Sequence, residues 1–236
     1  MDSGNIGFVL LCAAFVFVMT PGLAMFYGGL VRKKNVVNTM MTSIFIIGVG
    51  IVMWVLFGYS LSFAPSGNAF IGDFRWLGLE GVSLTEGYTD DASIPNMVFS
   101  AFQMMFAVIT PALITGAVAG RMKFKSIFVF TIFWSLIVYY PLAHMVWGQG
   151  GLLGADGIGA LDFAGGDVVH ISSGVSALVL CILLGKRHDY EHSIYRIHNI
   201  PTVVLGASLL MFGWFGFNAG SALAADGLAA HAFMTT

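Results

Sequence analysis

Residues 165–185 read GGDVVHISSGVSALVLCILLG. Between His170 and Gly185 no Asp, Glu, Lys or Arg interrupts the apolar run, and a helix crossing a bilayer core needs about 20 such residues. The stretch therefore reads as a membrane span with a titratable ring near its mouth. Working outward, five more stretches have the same character, so that spans fall at roughly 6–31, 38–63, 96–120, 124–145, 168–185 and 199–223. Of the 236 residues, 58% are hydrophobic and 9% charged, against about 25% charged in a soluble domain. The expected fold class is an all-α polytopic membrane protein, one transmembrane domain over 1–236 with no separate soluble domain.

The N-terminal stretch lacks a basic n-region and its apolar run outlasts a signal peptide's, so it reads as a retained first helix. Cys12 and Cys181 both fall inside spans, where thiols pack as small hydrophobes and no disulfide framework is suggested. The net charge of -2 comes without a long basic or acidic run, which excludes nucleic acid as a partner.

Basic residues collect on the cytoplasmic side of span ends. Arg32, Lys33, Lys34, Arg121, Lys123, Lys125, Lys186, Arg187 and Arg196 all lie in alternate loops, and Arg75 is the exception. The other loops carry Asp73, Glu80, Glu86, Asp90, Asp91, Asp156 and Asp162. This asymmetry puts the N-terminus outside. The long acidic loop before span three could draw in cations; an ordinary solvated surface is the alternative. After span six, ADGLAAHAFMTT begins an apolar run that stops too soon to cross, so a truncated seventh helix and a longer parent chain are expected.

Small residues let helices approach closely in lipid. Gly116 and Gly120 form a GxxxG in span three, and Gly213, Gly216 and Gly220 recur at spacings of three and four in span six. Pro21, Pro111 and Pro141 can kink their spans or free carbonyls.

Ionisable groups within spans face bundle interiors or wet paths. His170 is one such group. Asp162 precedes it by eight residues, so a helix beginning that early would set both on one face; Asp162 can instead be a helix N-cap. Phe102 and Phe106 share a helix face, and Phe217 sits among glycines; ordinary core packing explains all three equally. Trp147 suits an interfacial anchor, or a face for a cation. Asn218 and Ser221 form a polar pair, and the serine hydroxyl could replace a cation's lost water or bond its own backbone.

Five stretches resemble the ammonium transporter family (Amt/Mep/Rh), nearest its bacterial Amt branch: PGLAMFYGGLVRKKN at 21–35, FQMMFAVITPALITGAVAGR at 102–121, AHMVWGQGGLL at 143–153, GALDFAGGDVVHISSG at 159–174 and GWFGFNAGSA at 213–222. They occur in the family's order. The resemblance implies the first five-helix inverted repeat of an eleven-span fold, followed by a sixth span and the start of a seventh. It implies a substrate-binding site of Trp147, Phe102, Phe106 and Ser221 supported by Asp162, a pore gate of Phe106 and Phe217, and His170 as pore-lining proton relay. The family's second pore histidine has no counterpart, since His231 comes too early. Ammonium or ammonia, with methylammonium as analogue, is the expected substrate, crossing a cell (inner) membrane through a homotrimer with a PII-type regulator on the cytoplasmic face. No enzymatic role, cofactor or metal is expected. Two alternatives remain: an ammonium sensor of the same family, and a haem-binding cytochrome using His144 and His170.

Overall fold

The computed structural model describes residues 1–65, 68–155, 157–187, 190 and 194–236. Asp156, counted among the acidic loop residues, lies outside that set. Six helices are long and apolar enough to cross a membrane: α1 (Ser3–Leu30), α2 (Lys33–Phe63), α3 (Asn96–Val118), α4 (Phe124–Trp147), α5 (Gly166–Leu184) and α6 (Ile200–Gly220). A nine-residue helix, α7 (Gly227–Thr235), follows. The protein is an all-helical, multi-pass membrane protein; among the described residues there is no strand.

Hydrogen bonds define the two ends of the bundle. At the acidic end, the Asp2 amide donates to the Ser93 carbonyl, Asn5 Nδ2 donates to Ser93 Oγ and the Ala225 amide to Asn5 Oδ1. The start of α1, the loop before α3 and the segment after α6 therefore meet there. Arg75, the lone base in those loops, is spent on Asp73 at 2.7 Å. At the opposite end Gly29 O accepts the His198 and Asn199 amides, Arg121 Nη1 donates to Gly185 O, and the Arg32 and Arg187 guanidiniums both lie over Tyr195.

The glycines of α6 work as expected, and their partner is α1. A Cβ on Gly206 would stand 2.3 Å from Phe26 N, one on Gly213 2.1 Å from Met19 Cγ, and one on Gly216 2.7 Å from Phe15 Cβ. Only hydrogen fits along this seam. The GxxxG of α3 is corrected: the helix ends at Val118, and Gly120 is a turn residue at φ +71. Gly116 alone is in the helix and takes the Tyr27 ring, 2.4 Å from where its Cβ would be.

Three helices contain π turns, at Trp54–Gly58, Ser135–Tyr139 and Gly166–Ile171. Such turns widen the helix and redirect side chains, often near functional sites. The first meets the residue just after the second, since a Cβ on Gly58 would lie 2.7 Å from Tyr140 Cζ. The third carries His170.

Candidate functional site

The site is built on the turn before α5. Helix N-termini leave backbone N–H groups without partners, and here one carboxylate takes four of them. Asp162 Oδ1 accepts the Gly165 and Gly166 amides, the latter at 2.9 Å; Oδ2 accepts those of Asp167 and Val168 at 2.8 and 3.0 Å. Gly165 makes this wrap possible with φ +94, a region side-chain-bearing residues avoid. Asp162 is thus a cap and not a helical residue. The expectation that it shares a helix face with His170 is corrected, because α5 starts only at Gly166.

The same residue fixes the tryptophan. Trp147, at the last position of α4, donates its indole N–H to the Asp162 carbonyl at 2.9 Å. Asp162 therefore joins the end of α4 to the start of α5 through its backbone and its side chain at once.

A cavity of about 450 Å³ opens at the acidic end, and Trp147, Phe102, Phe106, Ser221 and Asp162 all line it. All five residues assigned to one binding site from the sequence are together. Phe102 and Phe106 meet edge-on at 4.9 Å, and Phe106 meets Trp147 at 6.0 Å and 88°. Phe102 is held by α6, where a Cβ on Gly220 would be 2.7 Å from its ring. Ser221 donates its hydroxyl proton to Phe217 O at 2.9 Å, so its oxygen keeps lone pairs for the cavity. Its sequence companion Asn218 turns elsewhere and donates to Thr236 Oγ1.

Beyond the cavity the rings continue inward. Phe106 lies on Phe217 with centroids 4.3 Å apart, both 1% exposed. Phe217 meets the His170 ring at 5.9 Å, and Trp214 stacks on that ring at 5.7 Å and 17°. His170 Nδ1 lies 2.9 Å from the Gly165 carbonyl. A carbonyl only accepts, so in the neutral ring the proton sits on Nδ1 and Nε2 is left as an acceptor. His170 occupies an exposed face of α5.

Other cavity residues escaped sequence reading, among them Gln103, Tyr88, Phe163 and Leu223. Gln103 was findable, since it is four residues from Phe99 and three from Phe106 on one helical face. Tyr88 belongs to the long loop, where it accepts the Gln149 amide at 3.0 Å; burial pushes its phenol up to about 12 despite that bond. Leu223 carries φ +58, a conformation that leucine does not advertise. Asp91 of the acidic loop reaches the cavity rim.

His144 is fully buried, with Nδ1 3.1 Å from Ser62 O and Nε2 2.8 Å from Asn68 O. A neutral ring can donate to only one of these carbonyls, but both nitrogens are shut against backbone and the ring is fully buried, so neither is open to an iron, which removes the support for the cytochrome reading. Among the described residues no group of three or more His, Cys, Asp or Glu could hold a metal ion.

Six bilayer-length helices with a ring-walled cavity at one end define a multi-pass helical membrane protein. Residues 7–236 match the Ammonium Transporter Family, and the chain belongs to it. It is 52% identical over its whole length to an ammonium transporter of Bacillus subtilis (strain 168), of which it covers 57%. The solved structure of Saccharomyces cerevisiae Mep2 superposes with a TM-score of 0.87 at 36% identity, covering 100% of this chain and 52% of that one. A solved sensor Amt protein superposes with a TM-score of 0.82 at 28% identity, covering 96% of this chain and 56% of that one. The chain thus spans about half the length of the relatives it matches.

Proposed function

We propose that this chain forms the recruiting side of an ammonium transport path. Ammonium settles in the cavity against the faces of Trp147, Phe102 and Phe106, and the Ser221 oxygen accepts one of its protons. The reading rests above all on the order of groups: rings and a hydroxyl in one cavity, then the Phe106–Phe217 pair, then His170.

The chemistry explains that order. Ammonium and potassium are close in size, so a rigid hole discriminates poorly. Ring faces attract a monovalent cation without fixed negative charge, but past them Phe106 and Phe217 are packed ring on ring and leave no water for a charge, whose desolvation there costs several kcal/mol or more. Ammonium escapes by giving its proton to water at the cavity mouth; potassium has no such route. Neutral ammonia then passes the rings and donates an N–H to His170 Nε2, the ring nitrogen left as an acceptor by the Nδ1 bond to Gly165 O. Asp162 holds Trp147 and the His170 helix in register throughout.

The acidic end faces outward in this reading, placing the N-terminus outside a cell (inner) membrane. A homotrimer, and a PII-type regulator docking on the basic end, complete it. Similarity to a sensor Amt protein favours a second reading, in which occupancy of the same cavity is signalled.

The test is uptake of labelled methylammonium by cells that lack other ammonium uptake and express the complete reading frame. His170→Ala is expected to abolish flux with membrane insertion intact. Undiminished flux in that variant removes His170 from the path, and saturable binding without flux in the unmutated protein favours the sensor.

A further inference from the structure

Of the four α3 residues that line the cavity, Phe99, Phe102 and Phe106 are aromatic and Gln103 alone is polar. Gln103 is 9% exposed, and its Oε1 has no hydrogen-bond partner. Its polar neighbours on the same helix are satisfied: Asn96 Oδ1 accepts from Tyr59, Ser100 accepts from Trp54, and Thr110 donates to Phe106 O. An orphaned buried carbonyl is uncommon in a native fold and calls for a cause.

We propose that Gln103 is a specificity-determining residue of the cavity, its amide oxygen being a second neutral acceptor, beside Ser221, for an N–H of the bound cation. This deepens the transport reading and rests on it. Ring faces supply attraction with little direction. Ammonium differs from a spherical cation of the same charge in presenting four N–H donors, and directional acceptors are what can sense them. Ser221 Oγ supplies one acceptor, since its own proton is committed to Phe217 O. Gln103 supplies the other. The terminal amide torsion is broad and roughly two-fold, so turning about it can aim the oxygen at a bound cation without moving the helix. Both acceptors are uncharged, so the cation is held without a buried counter-ion that would resist its later loss of a proton.

The test reads ammonium binding through Trp147 fluorescence in the purified full-length protein. Gln103→Met keeps the chain length and removes the acceptor; Gln103→Glu keeps an oxygen acceptor. The half-saturating ammonium concentration is expected to rise about tenfold or more in Gln103→Met, as loss of a hydrogen bond to a charged partner implies, and to stay at or below the unmutated value in Gln103→Glu. A packing role predicts the reverse order, with Met tolerated and a buried Glu disruptive, and that order overturns the proposal. A Gln103→Met titration superimposing on the unmutated one overturns it too, leaving the transport reading standing. Absence of any saturable ammonium response in the unmutated protein takes down both.

Discussion

Replacing Asp162 by alanine strips four backbone amides of their acceptor in one step. Their surroundings set the cost. Gly166 is exposed, so water replaces its partner; Gly165 and Val168 are buried, and an unsatisfied buried donor costs about 1–3 kcal/mol. The two together predict a loss of about 2–6 kcal/mol, above the usual penalty for a lost N-cap. Asp162→Asn retains one oxygen for two of the four amides and is expected to lose about half as much. The alanine change leaves the Asp162 carbonyl that holds the Trp147 indole, but that carbonyl stays in place only while the turn does. The variant should therefore lose uptake as well as stability. Thermal unfolding in detergent measures the first effect, and amide hydrogen exchange over 165–168 localises it. If Asp162→Ala unfolds at the unmutated temperature with those amides still protected, the carboxylate is not what holds the start of α5.

Trp147→Leu should raise the apparent KM for methylammonium with little change in maximal rate; a change in maximal rate alone makes the indole an interfacial anchor. Gly206→Leu puts a side chain where a Cβ already meets Phe26 N at 2.3 Å, and should sharply lower the yield of folded protein in detergent gel filtration, whereas leucine at Gly48, which meets nothing within 4 Å, should not. The Tyr88 phenol is raised in the folded protein to about 12 by burial. Its contribution is therefore complete below the unfolded tyrosine value of about 10 and is lost as pH rises from there to about 12. Tyr88→Phe should flatten alkaline destabilisation in that window, and an unchanged pH profile would show that the loop's burial of Tyr88 is not the cause.

The spans were legible because hydropathy is read residue by residue: the six stretches marked from sequence fall within a few residues of the helices. The cavity residues were legible through motif order, and they do converge. Local backbone geometry was not. Eight residues between Asp162 and His170 suggest two helical turns, yet Gly165 at φ +94 starts the helix later. Gly120 completes a GxxxG on paper but lies beyond the helix at φ +71, where a glycine followed by Arg121, Lys123 and Lys125 reads as a helix stop that the spacing rule alone passes over. The π turns and the left-handed Leu223 leave no compositional trace. Gln103 was passed over for a different reason: its lack of a partner is a property of what surrounds it, which no spacing rule records.

The glycine seam between α1 and α6 has a consequence for the order of assembly. Gly22 and Gly206, which face one another across it, are separated by most of the chain. At a synthesis rate of about 5–20 residues per second, α1 waits roughly ten to forty seconds in the bilayer before its partner is made. Through that interval its small-residue groove is open to lipid or to other helices, and α6 closes the bundle by displacing whatever has settled there. Mutations along the seam should therefore weigh more heavily on the yield of assembly than on the stability of protein already assembled.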